Sequence, residues 1–496
     1  MPDAIPTLQQ YILDSAVRGR LSPGTEWPKQ TQPLRDFANL QNGYAFKSDW
    51  FASKGVRLLR NANVGHGVLA WDDLVCLPSE RVSEFERFNL DAGDIVLSLD
   101  RPFIATGTKV AWVRQRDLPC LLLQRVGRFR FDPKLLLPDY LYMWLRSSLF
   151  NDQIDPGRSN GVPHISSKQV EEALIQIPGV DEQRRLVKTV EKLTAACDQL
   201  GSAQEKRERR RDRLAAASLH RLNQPTAAAS MFREHARFHL RHLPYLTARS
   251  EQITQLRQTI LNIAVQGRLL SQNLDDQPAP YFGIKDCEQR DDRLDLSLPT
   301  GWSWARVENV AEARLGKMLD KAKNAGQHVR YLRNTNVHWF EIRMDGWKEM
   351  QVEPGEVEKF ALRSGDVLIC EGGHGIGRTA IWEGDEPDII FQKALHRVRP
   401  GSALNGKFFA FCMSVYFHSG ILQRYFTGVG IPHFTGVALS KLVFPLPPLS
   451  EQKRIVAKVD ELFSICNRLE AQLTTAQNEG RCLLEAVLHQ ALHTAN

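Results

Sequence analysis

A chain of 496 residues is too long for one ordinary hydrophobic core, so several domains are expected. Charged residues at 24% and hydrophobic ones at 43% give an ordinary globular balance, and the formal charge of +7 favours an anionic partner without naming one. No apolar run reaches the roughly 18 residues of a membrane span, and the 8 cysteines contain no CxxC pair, so neither a disulfide frame nor a zinc knuckle is indicated. The opening MPDAIPTLQQYILDSAVRGR lacks a signal peptide's apolar core, which makes the cytoplasm the expected location.

In chain order, residues 1–23 read as a helix whose segment Ile12–Leu21 recurs as Ile260–Leu269. Residues 24–158 form a first insert of short β-type runs opened by turn residues, such as Val56–Arg60 and Gly93–Leu97. An aromatic helical piece follows at Tyr140–Trp144. Residues 159–222 open on GVPHISSKQ and pass into a long helix, along which Leu186, Val190, Leu193, Cys197 and Leu200 step by four and three. Residues 223–275 hold an Ala-rich, basic connector and the second copy of the opening helix. The second insert, residues 276–427, carries the strand-like Gly365–Cys370 and the aromatic piece Phe408–Phe411. Residues 428–496 repeat the long-helix block, with a seam of Ile455, Val459, Leu462, Cys466 and Leu469. Each helix would run about 40 residues, or roughly 60 Å, and the natural partner for each is the other. Asp181 and Ser450 are the expected N-caps.

The two long-helix blocks keep an offset of 269 residues from Gly161 and Gly430 to Leu219–His220 and Leu488–His489. Pro163–His164 matches Pro432–His433, and Glu182–Gln183 matches Glu451–Gln452. Repeats this long and this few indicate a duplicated frame around two individual inserts, not a many-unit solenoid. The inserts keep a faint echo, since Arg60-Asn61-Ala62-Asn63-Val64 resembles Arg333-Asn334-Thr335-Asn336-Val337 and Gly93-Asp94 matches Gly365-Asp366.

Gly372–Thr379 resembles a phosphate-binding GxxxxGK[ST] loop with arginine in the lysine position. Arginine's planar fork replaces that point charge poorly, so a glycine-rich loop between strands is the better reading. His235, His239 and His242 lack the glutamate of HExxH and read as a basic linker helix. No cofactor, methyltransferase or helicase signature is present, which weighs against a self-contained enzyme. The run Lys206–Arg213 is either a solvated helix face or a phosphate-facing grip. In the inserts, Arg57, Arg60, Asn61 and Asn63, then Arg330, Arg333, Asn334 and Asn336, alternate with apolar residues near strand ends. Arginine can fork onto guanine and asparagine onto adenine. Lys47, Arg101, Arg378 and Lys393 extend this set of candidate DNA contacts. The repetition of RNxN favours instead a structural turn for its asparagines, because residues that read different bases should differ.

The duplicated G(V/I)PH, the proline before D/S-E-Q-(R/K), the heptad helix, and the AV.GRL helix before each insert together resemble the specificity subunit of type I restriction-modification systems. The resemblance covers essentially the whole chain. It implies an α+β, pseudo-twofold fold: two mixed α/β target-recognition domains joined by two long conserved helices in an antiparallel coiled coil. It implies a double-stranded DNA target in two unlike halves, two methyltransferase subunits as partners, and restriction subunits beyond them. This chain would then be non-catalytic and bind no cofactor, with S-adenosylmethionine, ATP and magnesium handled by the partners. A protein-only coiled-coil scaffold and a self-contained DNA-modifying enzyme are the alternatives.

Overall fold

The computed structural model describes residues 4–493 except 23–26, 105–106, 156, 160–161, 225–227, 285–293, 295–296, 319–324, 347, 387, 429 and 431. The repeated Gly161 therefore lies outside the described residues. Two compact units divide the chain, Met1–Arg207 with Gln477–Asn496, and Glu208–Ala476. Among the described residues, no helix is long and apolar enough to cross a membrane.

In the first unit the helix Ala4–Val17 ends on Gly19, whose φ of +74° is left-handed. A side chain there would run into the Trp27 ring. Gly267, with φ +69°, does the same after the helix Ser250–Val265, where Pro299 and Trp302 crowd it. The glycine of the repeated AV.GRL block is thus a helix C-cap that also admits an aromatic ring.

The two inserts share one topology despite their different wording. The first has an antiparallel sheet in the order Ala38–Asn42, Val126–Phe131, Ile95–Ser98, Val110–Trp112. The second repeats it as Ala311–Leu315, Leu395–Pro400, Val367–Cys370, Thr379–Ile381. Beside each lies a three-stranded sheet with one parallel pair, Val56–Leu59 with Cys120–Leu122 and Gln327–Leu332 with Ile390–Phe391. The matched Gly-Asp explains itself here. Asp94 accepts the backbone N–H of Asp91 at 2.8 Å and pairs with the fully buried Arg128 at 3.0 Å. Asp366 accepts the N–H of Arg363 at 2.8 Å and takes both arms of Arg399 at 2.7 Å. One carboxylate closes the turn and holds the next strand, a role that a neutral side chain cannot fill.

The long helices run Val180–Asn223 and Leu449–His493. Both start one residue before the expected caps, so Asp181 and Ser450 sit in the first turn instead of capping it. The glutamine of the repeated Glu-Gln secures each start. Gln183 accepts the N–H of Leu137 at 2.7 Å and donates to the carbonyls of Leu135 and Pro178 at 2.9 and 2.8 Å. Gln452 accepts from Asn405 at 2.7 Å and donates to Ala403 and Pro447 at 3.0 and 2.8 Å. The preceding glutamate reaches back toward the opening helix: Ser22 donates to Glu182, and the Trp302 indole donates to Glu451 at 3.0 Å. Burial raises the Glu451 carboxyl above its usual range.

The expected helix–helix seam is corrected by the packing. Leu186, Val190 and Cys197 join the first unit's core with Ile12, Ala16, Tyr140 and Trp144. Leu193 and Leu200 are 38% and 60% exposed. Ile455, Val459 and Cys466 enter the second unit's core with Ile260, Phe408 and Phe409, while Leu462 and Leu469 pack at its edge. A stripe of period 3.5 announces one apolar face and says nothing of what covers it. Here the insert and the opening helix offer the larger apolar surface.

Candidate nucleic-acid interface

Three loops meet at one place in each insert. The strand Ile95–Ser98 runs into a loop where Arg101, at φ +46°, donates its N–H to Pro163 at 2.7 Å. Ile165 in turn donates to Leu99 at 2.9 Å, and Asp100 bridges to His164. The second insert repeats these links: Phe434 donates to Glu371 at 2.8 Å and Gly372 bridges to His433. The Pro-His motif is therefore a clasp on the loop after the central strand. The RNxN turn joins the same cluster. Lys109 donates to the Asn61 carbonyl at 2.6 Å, and the Asn334 amide reaches the Gly372 carbonyl at 3.5 Å.

Within that turn the asparagines divide into two kinds. Asn63 is 2% exposed, accepts the Arg60 N–H at 3.0 Å and donates to Ala70 at 2.9 Å. Asn336 is 5% exposed, with the same bonds to Arg333 at 3.0 Å and Arg343 at 2.8 Å. Both are structural, so they are withdrawn as base contacts. Their amides are consumed by the backbone, as repetition of the motif implies. Arg57 also leaves the set, because it donates to Leu118 at 2.7 Å and stacks 5.0 Å from the Trp71 ring. Arg60 pairs with Asp73 at 2.5 Å, and Arg333 donates to Gly346 at 3.1 Å. Arg330 is exposed on its strand, 4.0 Å from Glu349.

Asn61, Arg101, Asn334, Arg378 and Lys393 fall in the loop clusters. Arg101 and Lys393 are exposed, and Arg378 is half-buried in the glycine loop. Lys393 precedes Ala394, whose carbonyl holds Glu371 at 2.9 Å. Lys47 is exposed on the other sheet's side, 5.5 Å from the Trp50 ring. The glycine loop forms a 3₁₀ turn, Gly373–Gly375, between two strands and opens no helix, so no phosphate loop exists there. Lys109 and Arg125 were not anticipated from the sequence. Burial first, and the charge of Arg101 second, lower the Lys109 ammonium below its usual range. Arg125 pairs with Asp100 at 3.8 Å. In the second cluster Glu371 faces His433 Nδ1 at 3.1 Å. The two heads thus share a frame and differ in charge. We expect Arg101→Ala to weaken DNA binding with little change in stability, and to reduce the slope of log K against log salt by about one. Filter-binding titrations at several salt concentrations check this, and an unchanged slope would remove Arg101 from the interface.

The basic run on the first long helix is internally laced in part, with Arg211 on Glu208 at 2.8 Å and Asp212 paired to Arg249. His239, in the connector helix Ala229–Arg241, is buried against Ser218 at 2.9 Å, and that burial lowers its pKa. The helix expected as a basic linker is thus buried at this residue. Among the described residues, no group of three potential ligands could hold a metal ion.

The family model for the type I restriction modification DNA specificity domain matches residues 28–208 and again 299–476. The chain belongs to that family. It is 48% identical over 189 residues to the type I restriction enzyme EcoAI specificity subunit of Escherichia coli. That match covers 38% of this chain but only 31% of the EcoAI subunit's length. The type I restriction enzyme EcoBI specificity subunit of Escherichia coli is 22% identical over 495 residues, 97% of this chain and 88% of that one. A chain from work on the assembly and conformational transition of the type I R-M system is similar in fold, with TM-score 0.54 at 18% identity. That likeness covers 95% of this chain and 100% of the other.

Proposed function

We propose that this chain is the DNA sequence-specificity subunit of a type I restriction-modification complex. Each loop cluster reads one half of a bipartite, asymmetric target in double-stranded DNA. The observation that carries this reading is the same three-loop cluster built twice on one topology, with unlike charged residues at each copy. Residues 24–158 and 276–427 are the two target-recognition domains, and residues 1–23, 159–222, 223–275 and 428–496 are the frame. The long helices pair antiparallel and relate the halves by a pseudo-twofold axis. In support, each long helix begins in one compact unit and ends in the other. The exposed Leu193, Leu200, Leu483 and Val487 leave apolar surface along the helices for further chains.

On this reading the subunit is cytoplasmic and performs no chemistry. It scaffolds two methyltransferase subunits and, through them, restriction subunits. S-adenosylmethionine, ATP and magnesium act in those partners. The test is to express the chain with its cognate methyltransferase in a host without other modification and map methylated adenines by single-molecule sequencing. Two short, unlike half-sites at a fixed gap are expected. A continuous palindromic motif would overturn the bipartite reading.

A further inference from the structure

The second unit contains a cleft of about 550 Å³ between the insert and the early turns of its long helix. Its aromatic lining is Phe340, Trp382, Phe411 and Phe463. Around these stand the carboxylates of Glu341, Glu383, Glu386 and Asp460, against the single ammonium of Lys407. Lys407 lies 3.5 Å from Glu383 and 3.6 Å from Asp460, and Arg343 holds Glu341 at 3.1 Å, so two cations offset part of the charge of four carboxylates. An acidic, aromatic-walled cleft on a chain of charge +7 excludes DNA phosphate as its occupant.

Two further observations indicate what fits. Phe340 is held at φ +63°, a conformation that bulky residues rarely adopt, and its ring is 39% exposed. It donates its N–H to Thr379 at 2.9 Å, and the first unit makes the same bond from Gly67, at φ +82°, to Val110 at 2.8 Å. Glycine suffices for that turn, so the phenylalanine adds a ring to the cleft lip at a backbone cost. The first unit's corresponding cleft, of about 630 Å³, shows how the place is used. There the chain's own Arg146 guanidinium lies 5.2 Å over the Tyr142 ring and 2.9 Å from His66 Nε2, in a cleft lined also by Arg114, Asp139 and Glu191.

We propose that the second unit's cleft receives an arginine or lysine side chain of a methyltransferase subunit. This deepens the functional reading above and rests on it. Aromatic faces and carboxylates together hold a desolvated cation, and the first unit already sets an internal arginine over an aromatic ring at this place. The two partner copies are then anchored unequally, one by this cleft and one without it.

The test titrates the full-length chain with purified cognate methyltransferase, followed by calorimetry and native mass spectrometry. Phe340→Gly relieves backbone strain and is expected to hold or raise the melting temperature, yet weaken one of two binding steps by about tenfold. Asp460→Asn should weaken the same step and make it less salt-dependent. Two unchanged steps in both variants would overturn the cleft assignment alone. An unsubstituted chain that fails to take two copies would overturn the functional reading, and the assignment with it.

Discussion

Replacing residues 24–158 by the insert of another specificity subunit is expected to rewrite one half of the modified sequence and leave the other intact. The three loops that meet at Arg101 and Pro163 belong to the first unit, and the bonds described for them are made within it. Each wrong base pair in a site costs about 1–3 kcal/mol, so two wrong pairs cost roughly 2–6 kcal/mol, enough to lose specific binding at the old half-site. The exchange has structural conditions. Gln32–Pro33 pairs with Leu174–Ile175 of the frame, and the N–H of Leu137 must remain for Gln183. The incoming helix must also present an apolar face where Tyr140 and Trp144 meet Leu186 and Val190. Methylation mapping reads the outcome directly. A change in both halves would show that the inserts do not read independently.

The duplication, the mixed inserts and the long helices were all legible because period and repetition survive in one dimension. Glycines of AV.GRL and the aspartates of Gly93-Asp94 and Gly365-Asp366 were visible as repeats, but their partners were not. Arg128 and Arg399 lie 34 and 33 residues along the chain from their aspartates, and nothing local marks them. The heptad stripe predicted an apolar face correctly, but its named positions pack into the cores, as Leu186 and Ile455 do where they turn toward the inserts. For the site, repetition of RNxN already favoured a turn, and the buried amides of Asn63 and Asn336 bear that reading out. Lys109 and Arg125 carried no signal, because their place in the cluster depends on how the loop after Ser98 returns past Asn61. The Pro-His motif was visible as a repeat, but not its role as a clasp on the loop after the central strand.

Gln452→Ala is expected to destabilise the second unit severely. The side chain is fully buried and has three backbone partners at 2.7–3.0 Å, the N–H of Asn405 and the carbonyls of Ala403 and Pro447. Truncation leaves all three without partners at the start of a 45-residue helix. An unsatisfied buried polar group costs about 1–3 kcal/mol, which puts the loss at roughly 3–6 kcal/mol after partial relaxation. For a unit of this size that corresponds to a fall of roughly 6–20 °C in Tm. Gln452→Glu offers no escape, because a carboxylate can accept from Asn405 but cannot donate to two carbonyls. The same argument applies to Gln183 in the first unit, so the two substitutions should act on different transitions. Differential scanning calorimetry of the full chain distinguishes them: Gln452→Ala should lower one melting step and Gln183→Ala the other. A fall under about 2 °C would mean that water replaces the amide at both carbonyls, and that the repeated glutamine is not what secures the helix.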